Sequence, residues 1–195
     1  MTITEARSET ALLTAADLLR LDVQGVRGEL IRGEFCETMP AGQRHGSVVV
    51  RLGARLVDFA DAGRLGTVVG SDSGVWLERD PDTVREPDLA FTSVQRMPLG
   101  TEVDGYAEVV PDLVVEVASP SDRGWATHDK ARMWLSHGVR LVWVVYPQRR
   151  SVDVHRPGRP VETIIGSGAL DGFDVVAGFT CPLGDIFGPE PEPAE

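Results

Sequence analysis

The segment Leu113-Val114-Val115-Glu116-Val117-Ala118 is an apolar, β-branched run that reads as a buried strand. A second continuous apolar run, Leu141-Val142-Trp143-Val144-Val145-Tyr146, is closed by Pro147 and reads the same way. Between them lies a helical pattern over about 126–137, ending near Gly138. Strand, helix and strand in this order make a crossover unit, so the two strands run parallel with a right-handed connection. One carboxylate interrupts the first run. Side chains alternate along a strand, so Glu116 and Ala118 point one way while Leu113, Val115 and Val117 point the other. A charge in such a strand is costly unless it is paired or coordinates a metal.

The rest of the chain builds a mixed α/β domain around this unit. Thr14-Ala15-Ala16-Asp17 matches a capping box, and Leu18, Leu19 and Leu21 continue it into a short helix. Gly28 to Glu37 reads as a hairpin turning at Arg32-Gly33, with Glu34 and Glu37 as solvated strand residues. From Gln43 to about Ala62 the period becomes helical: Val48, Val49, Leu52, Leu56 and Phe59 form one apolar face. Arg44, Arg51 and Arg55 form a basic stripe on another face, and His45 stands at the start of the apolar one.

Further on, 66–70 and 74–78 read as strands, Asp80-Pro81-Asp82 as a turn, and the strand after Asp88 as the next rung of an antiparallel meander. Residues 97–109 form a long loop. Ser151-Val152-Asp153-Val154-His155 alternates like an edge strand. We expect residues 12–188 to form a single domain with a central mixed sheet flanked by helices, and 1–11 and 189–195 to be flexible tails.

Charge narrows the function. A net charge of −11 argues against tight, non-specific binding to nucleic acid, although the C-terminal Pro/Glu tail carries part of it. Cys36 and Cys181 are far apart and lack C-x-x-C spacing, so neither a disulfide framework nor a zinc site is indicated by them. No apolar run is long enough for a membrane span, and no secretory signal is evident, so a reducing, cytoplasmic setting is expected.

Two acids on short apolar strands, Asp88 in Arg85-Glu86-Pro87-Asp88-Leu89 and Glu116, together with Lys130 on the following helix, suggest a metal-dependent phosphodiesterase site. Hard divalent cations prefer carboxylate and water oxygens, so Mg²⁺ is the expected metal, with Mn²⁺ as an alternative. Lys130 lies at the margin of the buried helix face made by Ala131, Trp134 and Leu135, and can snorkel toward the strand ends. A lysine at such a margin is expected to contribute little to stability.

The order of elements resembles the restriction-endonuclease-like core of the PD-(D/E)XK nucleases. Pro87-Asp88 stands for "PD" and Glu116 for the second acid. The blocks Gly28-Glu29-Leu30-Ile31-x-Gly33-Glu34, His45, Glu86-Pro87-Asp88-Leu89, Pro111 to Ser121, Lys130 and Gly138 to Pro147 resemble the Uma-type restriction endonuclease family. The superfamily's lysine two residues after the second acid is replaced by Ala118, and the family blocks point to Lys130 instead.

The resemblance implies a DNA endonuclease with Asp88 and Glu116 holding the metal, Lys130 as the catalytic cation, and His45 and Glu29 in supporting roles. It also implies a homodimer, which the edge-like segment Ser151 to His155 is expected to pair. Two other readings stand beside it. One is a nuclease-fold domain that binds or scaffolds without hydrolysis. The other is a hydrolase of small phosphoesters, since no base-reading contacts are identifiable.

Overall fold

Thr14 caps the first helix as its sequence predicts: its hydroxyl accepts from the Asp17 N–H while the Asp17 carboxylate accepts from the Thr14 N–H. The computed structural model describes residues 12–119 and 124–189. The tail expected at 1–11, nearly all of the C-terminal one, and most of the Ser119-Pro120-Ser121-Asp122 turn lie outside the described residues. The order is α1 (Ala15–Val23), β1 (Gly28–Ile31), β2 (Glu34–Glu37), α2 (Gln43–Gly63), β3 (Gly66–Gly70), β4 (Val75–Glu78), β5 (Thr83–Arg85), β6 (Leu89–Ser93) and β7 (Leu113–Val117). Then follow α3 (Gly124–Ser136), β8 (Leu141–Tyr146), β9 (Ser151–His155), β10 (Glu162–Ile164), β11 (Ala169–Asp171), β12 (Thr180–Pro182) and α4 (Leu183–Phe187).

The crossover predicted from 113–146 is present. β7 and β8 are parallel neighbours, with Glu116 opposite Val144, and every residue of both strands is buried. They form the centre of a six-stranded mixed sheet ordered β10-β9-β8-β7-β6-β3. The alternation of β7 divides its side chains as expected. Leu113, Val115 and Val117 join Val48, Leu52, Leu56 and Ala60 of α2 on one face. Val114 and Ala118 join Ala131 and Trp134 of α3 on the other. Val48, Leu52, Leu56 and Ala60, four residues apart, are each within 3% exposure, while Val49 and Phe59 of the expected face are partly buried against the same core. Each fully buried leucine in it contributes about 1.5–3 kcal/mol by burial alone.

A second, four-stranded sheet, ordered β2-β1-β5-β4, leans on the α3 side. Its hairpin turns at Arg32 (φ 53°) and Gly33 (φ 81°), the pair of left-handed residues that a tight turn of matching twist requires. Its own small core is Ala15, Leu18, Leu30 and Val84. Glu34 and Glu37 are exposed.

The expected meander does not form: β3 pairs directly with β6 along five residues, while β4 and β5 leave for the second sheet. Trp76 and Val84 find their apolar partners there, against α1 and Leu30. The expected edge strand is also overturned. β9 is hydrogen-bonded on both sides, to β8 and to β10, and all five of its residues are buried. Its alternating polar residues face α3 rather than water, so it cannot pair across a dimer axis.

Candidate active site

Asp88 sits immediately before β6. The antiparallel register pairs Leu89 with Val115, so one step back Asp88 stands opposite Glu116. Directly opposed residues share a face, with Cβ atoms about 5 Å apart. A hydrogen bond pins this geometry, because the N–H of Val117 donates to Asp88 Oδ2 at 2.7 Å. The other oxygen, Oδ1, lies 3.2 Å from His45 Nε2. His45 belongs to the first turn of α2, which covers the opposite face of the sheet, and reaches round the strand ends.

Lys130 projects from α3 into the cluster. Its Nζ lies 2.9 Å from Glu116 Oε2 and 3.4 Å from Glu29 Oε1, and it donates to the backbone carbonyl of Glu86 at 3.3 Å. Glu29 belongs to β1, so this lysine ties the two sheets together. Glu29 also binds the Arg85 guanidinium at 3.1 Å and accepts from the Glu86 N–H at 2.7 Å. The second oxygen of Glu116 accepts from the indole N–H of Trp134 at 2.7 Å. All five residues singled out in the sequence, Glu29, His45, Asp88, Glu116 and Lys130, therefore meet at one place, through these contacts and the Asp88–Val117 hydrogen bond.

The electrostatics follow from burial and charge count. Burial pushes Glu116 up to about 7, with Asp88 and Glu29 adding to the push and the Lys130 ammonium opposing it. Burial also works against the charge on Glu29, but Lys130 and Arg85 outweigh it and hold its pKa below the usual range. The carboxylates of Glu116 and Glu29 raise Lys130 despite its own burial, so it stays a cation. Lys130 thus stands half-buried at the margin of its helix face, as the sequence suggests, but as the counter-charge of two buried acids, so its removal should cost more stability than that of a solvated helix lysine.

Glu86 is a member that sequence reasoning passed over. Burial, Glu29 and Asp72 push it up to about 7. Its place between Arg85 and the Pro87-Asp88 step was the available signal. Trp134 was read only as core. Trp134→Phe should lower the unfolding free energy by about 1–3 kcal/mol, because it strands a buried carboxylate oxygen while keeping an aromatic ring in place. Urea denaturation indistinguishable from wild type would show that the indole N–H does not hold Glu116.

The donor set suits a hard divalent cation. Among the described residues each oxygen of Asp88 and Glu116 has one partner, and a carboxylate accepts at about four positions, which leaves lone pairs for a metal. Among the described residues, four acids, Glu29, Glu86, Asp88 and Glu116, are opposed by three permanent cations, Lys130, Arg85 and, for Glu86, Arg27. A bound cation would relieve that excess.

A mixed sheet flanked by helices, with acids and a lysine gathered at the ends of β6 and β7, defines a nuclease-like α/β protein. Over residues 15–184 the sequence matches the Uma2 family, described as "Putative restriction endonuclease", and the chain belongs to that family. Among solved structures, it resembles "a putative nuclease belonging to DUF820" from Anabaena variabilis ATCC 29413. The TM-score is 0.76 at 19% identity, covering 90% of this chain and 97% of that one. No curated protein matches significantly. Among the described residues, no helix is long and apolar enough to cross a membrane.

Proposed function

We propose that this chain is a Mg²⁺-dependent DNA endonuclease, with Mn²⁺ as a competent substitute. The observation that carries the reading is the juxtaposition of Asp88 and Glu116 across the β6–β7 pair, with the Lys130 ammonium 2.9 Å from Glu116. Asp88 and Glu116 would hold the metal, which when bound supplies Lewis-acid polarisation of the scissile phosphate and a water of lowered pKa. Lys130 faces the charge that develops on the phosphate and orients the attacking water. Glu29 aims Lys130 and favours its charged form. His45 and the Val117 N–H position Asp88, and Trp134 positions Glu116. Since Glu29 comes from one sheet and Glu116 from the other, we take residues 12–188 to act as one domain.

DNA backbone contacts would draw on local positive charge despite the net charge of −11. Arg44 lines a groove of about 450 Å³ beside the first turn of α2, together with Arg150, whose guanidinium donates to the carbonyls of Phe187 and Gly188. Arg55, by contrast, is paired with Asp185 at 3.2 Å. The free thiols of Cys36 and Cys181 fit a reducing cytoplasm.

The decisive experiment is cleavage of supercoiled plasmid and single-stranded DNA with Mg²⁺ or Mn²⁺, comparing wild type with Asp88→Asn. Wild-type cleavage lost in the variant supports the reading. Cleavage equal in both points to a contaminating nuclease. The rival, a binding domain without hydrolysis, draws on the occupation of both Glu116 oxygens by Lys130 and Trp134. Calorimetry that detects no saturable Mg²⁺ site in wild type would favour it.

One set of acids per chain cuts one strand, so double-strand cleavage calls for a second copy. A homodimer is accordingly expected at about tens of micromolar protein, the range that reveals micromolar association. Light scattering that returns the monomer mass at that concentration removes the dimer.

A further inference from the structure

We propose that His128, Asp153 and His155 form a second metal site, for a borderline transition ion such as Zn²⁺, separate from the Asp88–Glu116 cluster. Asp153 and His155 are two residues apart on β9 and so share a face, the one covered by α3, from which His128 projects. One ligand atom from each residue lies within 4.8 Å of the other two. His128 Nε2 is 3.7 Å from Asp153 Oδ2, and the two imidazole centroids are 5.4 Å apart. Ligands about 2.0–2.1 Å from a tetrahedral zinc stand roughly 3.3 Å from one another, so a small inward adjustment completes the set.

A second observation points to a ligand independently. His155 is only 4% exposed, and its Nε2 is buried with no hydrogen-bond partner among the described residues. A buried polar nitrogen left in this state is destabilising, and native proteins rarely tolerate it. The surroundings also have the organisation of a ligand set. Asp153 Oδ1 accepts from the Thr163 hydroxyl at 2.6 Å, which orients the carboxylate, while Oδ2 is the oxygen nearest His128. The Tyr146 hydroxyl lies 3.5 Å from His128 Nε2 and would be displaced as that nitrogen turned to a metal. Arg132, one turn further along α3, is engaged by Asp129.

Two imidazoles and one carboxylate suit zinc and its first-row neighbours rather than Mg²⁺, which takes oxygen ligands. The His128 side chain is 39% exposed, so an ion can reach the site, and a fourth position stays open to water. The site shares no residue with the Asp88–Glu116 cluster. β9 is two strands from β7, about 10 Å across the sheet.

The test uses the untagged full chain, stripped with a chelator, in an Asp88→Asn background that removes the proposed Mg²⁺ ligand. Calorimetry with Zn²⁺ should show one saturable site per chain. His128→Ala should weaken it by more than the roughly 100-fold that an outer partner contributes, and Thr163→Val by about 10–100-fold. With Co²⁺ as the probe, visible d–d bands should appear and be absent in His128→Ala. If His128→Ala fails to fold by circular dichroism, His128→Gln takes its place with the same expected loss. Absence of Zn²⁺ binding in the Asp88→Asn background, or unchanged binding in the folded His128 variant, overturns the proposal. Neither outcome bears on DNA cleavage, so the two readings fail separately.

Discussion

Lys130→Ala should lower the unfolding free energy by about 3–5 kcal/mol near pH 8, the scale of breaking a buried ion pair from one side. The variant leaves Glu116 and Glu29 buried without their common cation. The pH dependence is specific. Glu116 has a folded pKa raised to about 7, so in the wild type it lowers stability as pH rises from the unfolded carboxylate pKa to that value and no further above it. Without Lys130 nothing opposes the burial, and the folded pKa climbs further. The loss should therefore grow between about pH 6 and pH 8 and shrink near pH 5, where Glu116 is protonated in the fold of both proteins. Some loss persists at pH 5 because Glu29, held below its usual range by Lys130, contributes stability above the unfolded carboxylate pKa, and that contribution disappears as pH falls through its folded value.

The double variant Glu116→Gln with Lys130→Met should recover much of the stability, since a neutral pair of similar shape removes the uncompensated charge. Cleavage should not return with it, and Lys130→Ala alone should already reduce cleavage by about 10²-fold or more. Equal melting of wild type and Lys130→Ala at both pH values would show the ion pair to be energetically idle.

Asp88→Asn and Glu116→Gln should each abolish metal-dependent cleavage, with losses of about 10²–10³-fold or greater, the scale of losing one preorganised electrostatic group. Wild-type activity should rise with pH as Glu116 ionises, around the value of about 7 set by its burial. Raising the Mg²⁺ concentration should move that midpoint down, because a cation binds the carboxylate form and displaces the proton. Initial rates of plasmid nicking across the range at two Mg²⁺ concentrations measure both effects. A flat profile would show that Glu116 is not titrated in the reactive state, and a midpoint indifferent to Mg²⁺ would remove it from the metal's ligands.

Local pattern determined a large part of this protein. The capping box at Thr14, the turn at Arg32-Gly33, the α2 stripe and the 113–146 crossover all follow from residue spacing within one element, because hydrogen bonds and side-chain direction there depend on near neighbours. The acid in β7 was visible for the same reason, since a charge inside an apolar run stands out, whereas Lys130, between Asp129 and Arg132, was singled out by the family-like block in which it stands. What the sequence could not decide was which strand lies beside which. Periodicity reports that one face of a strand is polar, not whether water or a helix covers it. Ser151 to His155 therefore looked like an edge, yet β10 and α3 enclose it.

The same limit hid the partners of the site. Glu29 is 101 residues from Lys130 in the chain, and only the docking of the second sheet onto α3 brings its carboxylate to 3.4 Å. That docking made a lysine at the margin of its helix the counter-charge of two buried acids, and it pushed up Glu86. Ionisation in a folded chain depends on burial and on every charge nearby, and those distances exist only once the sheets have packed.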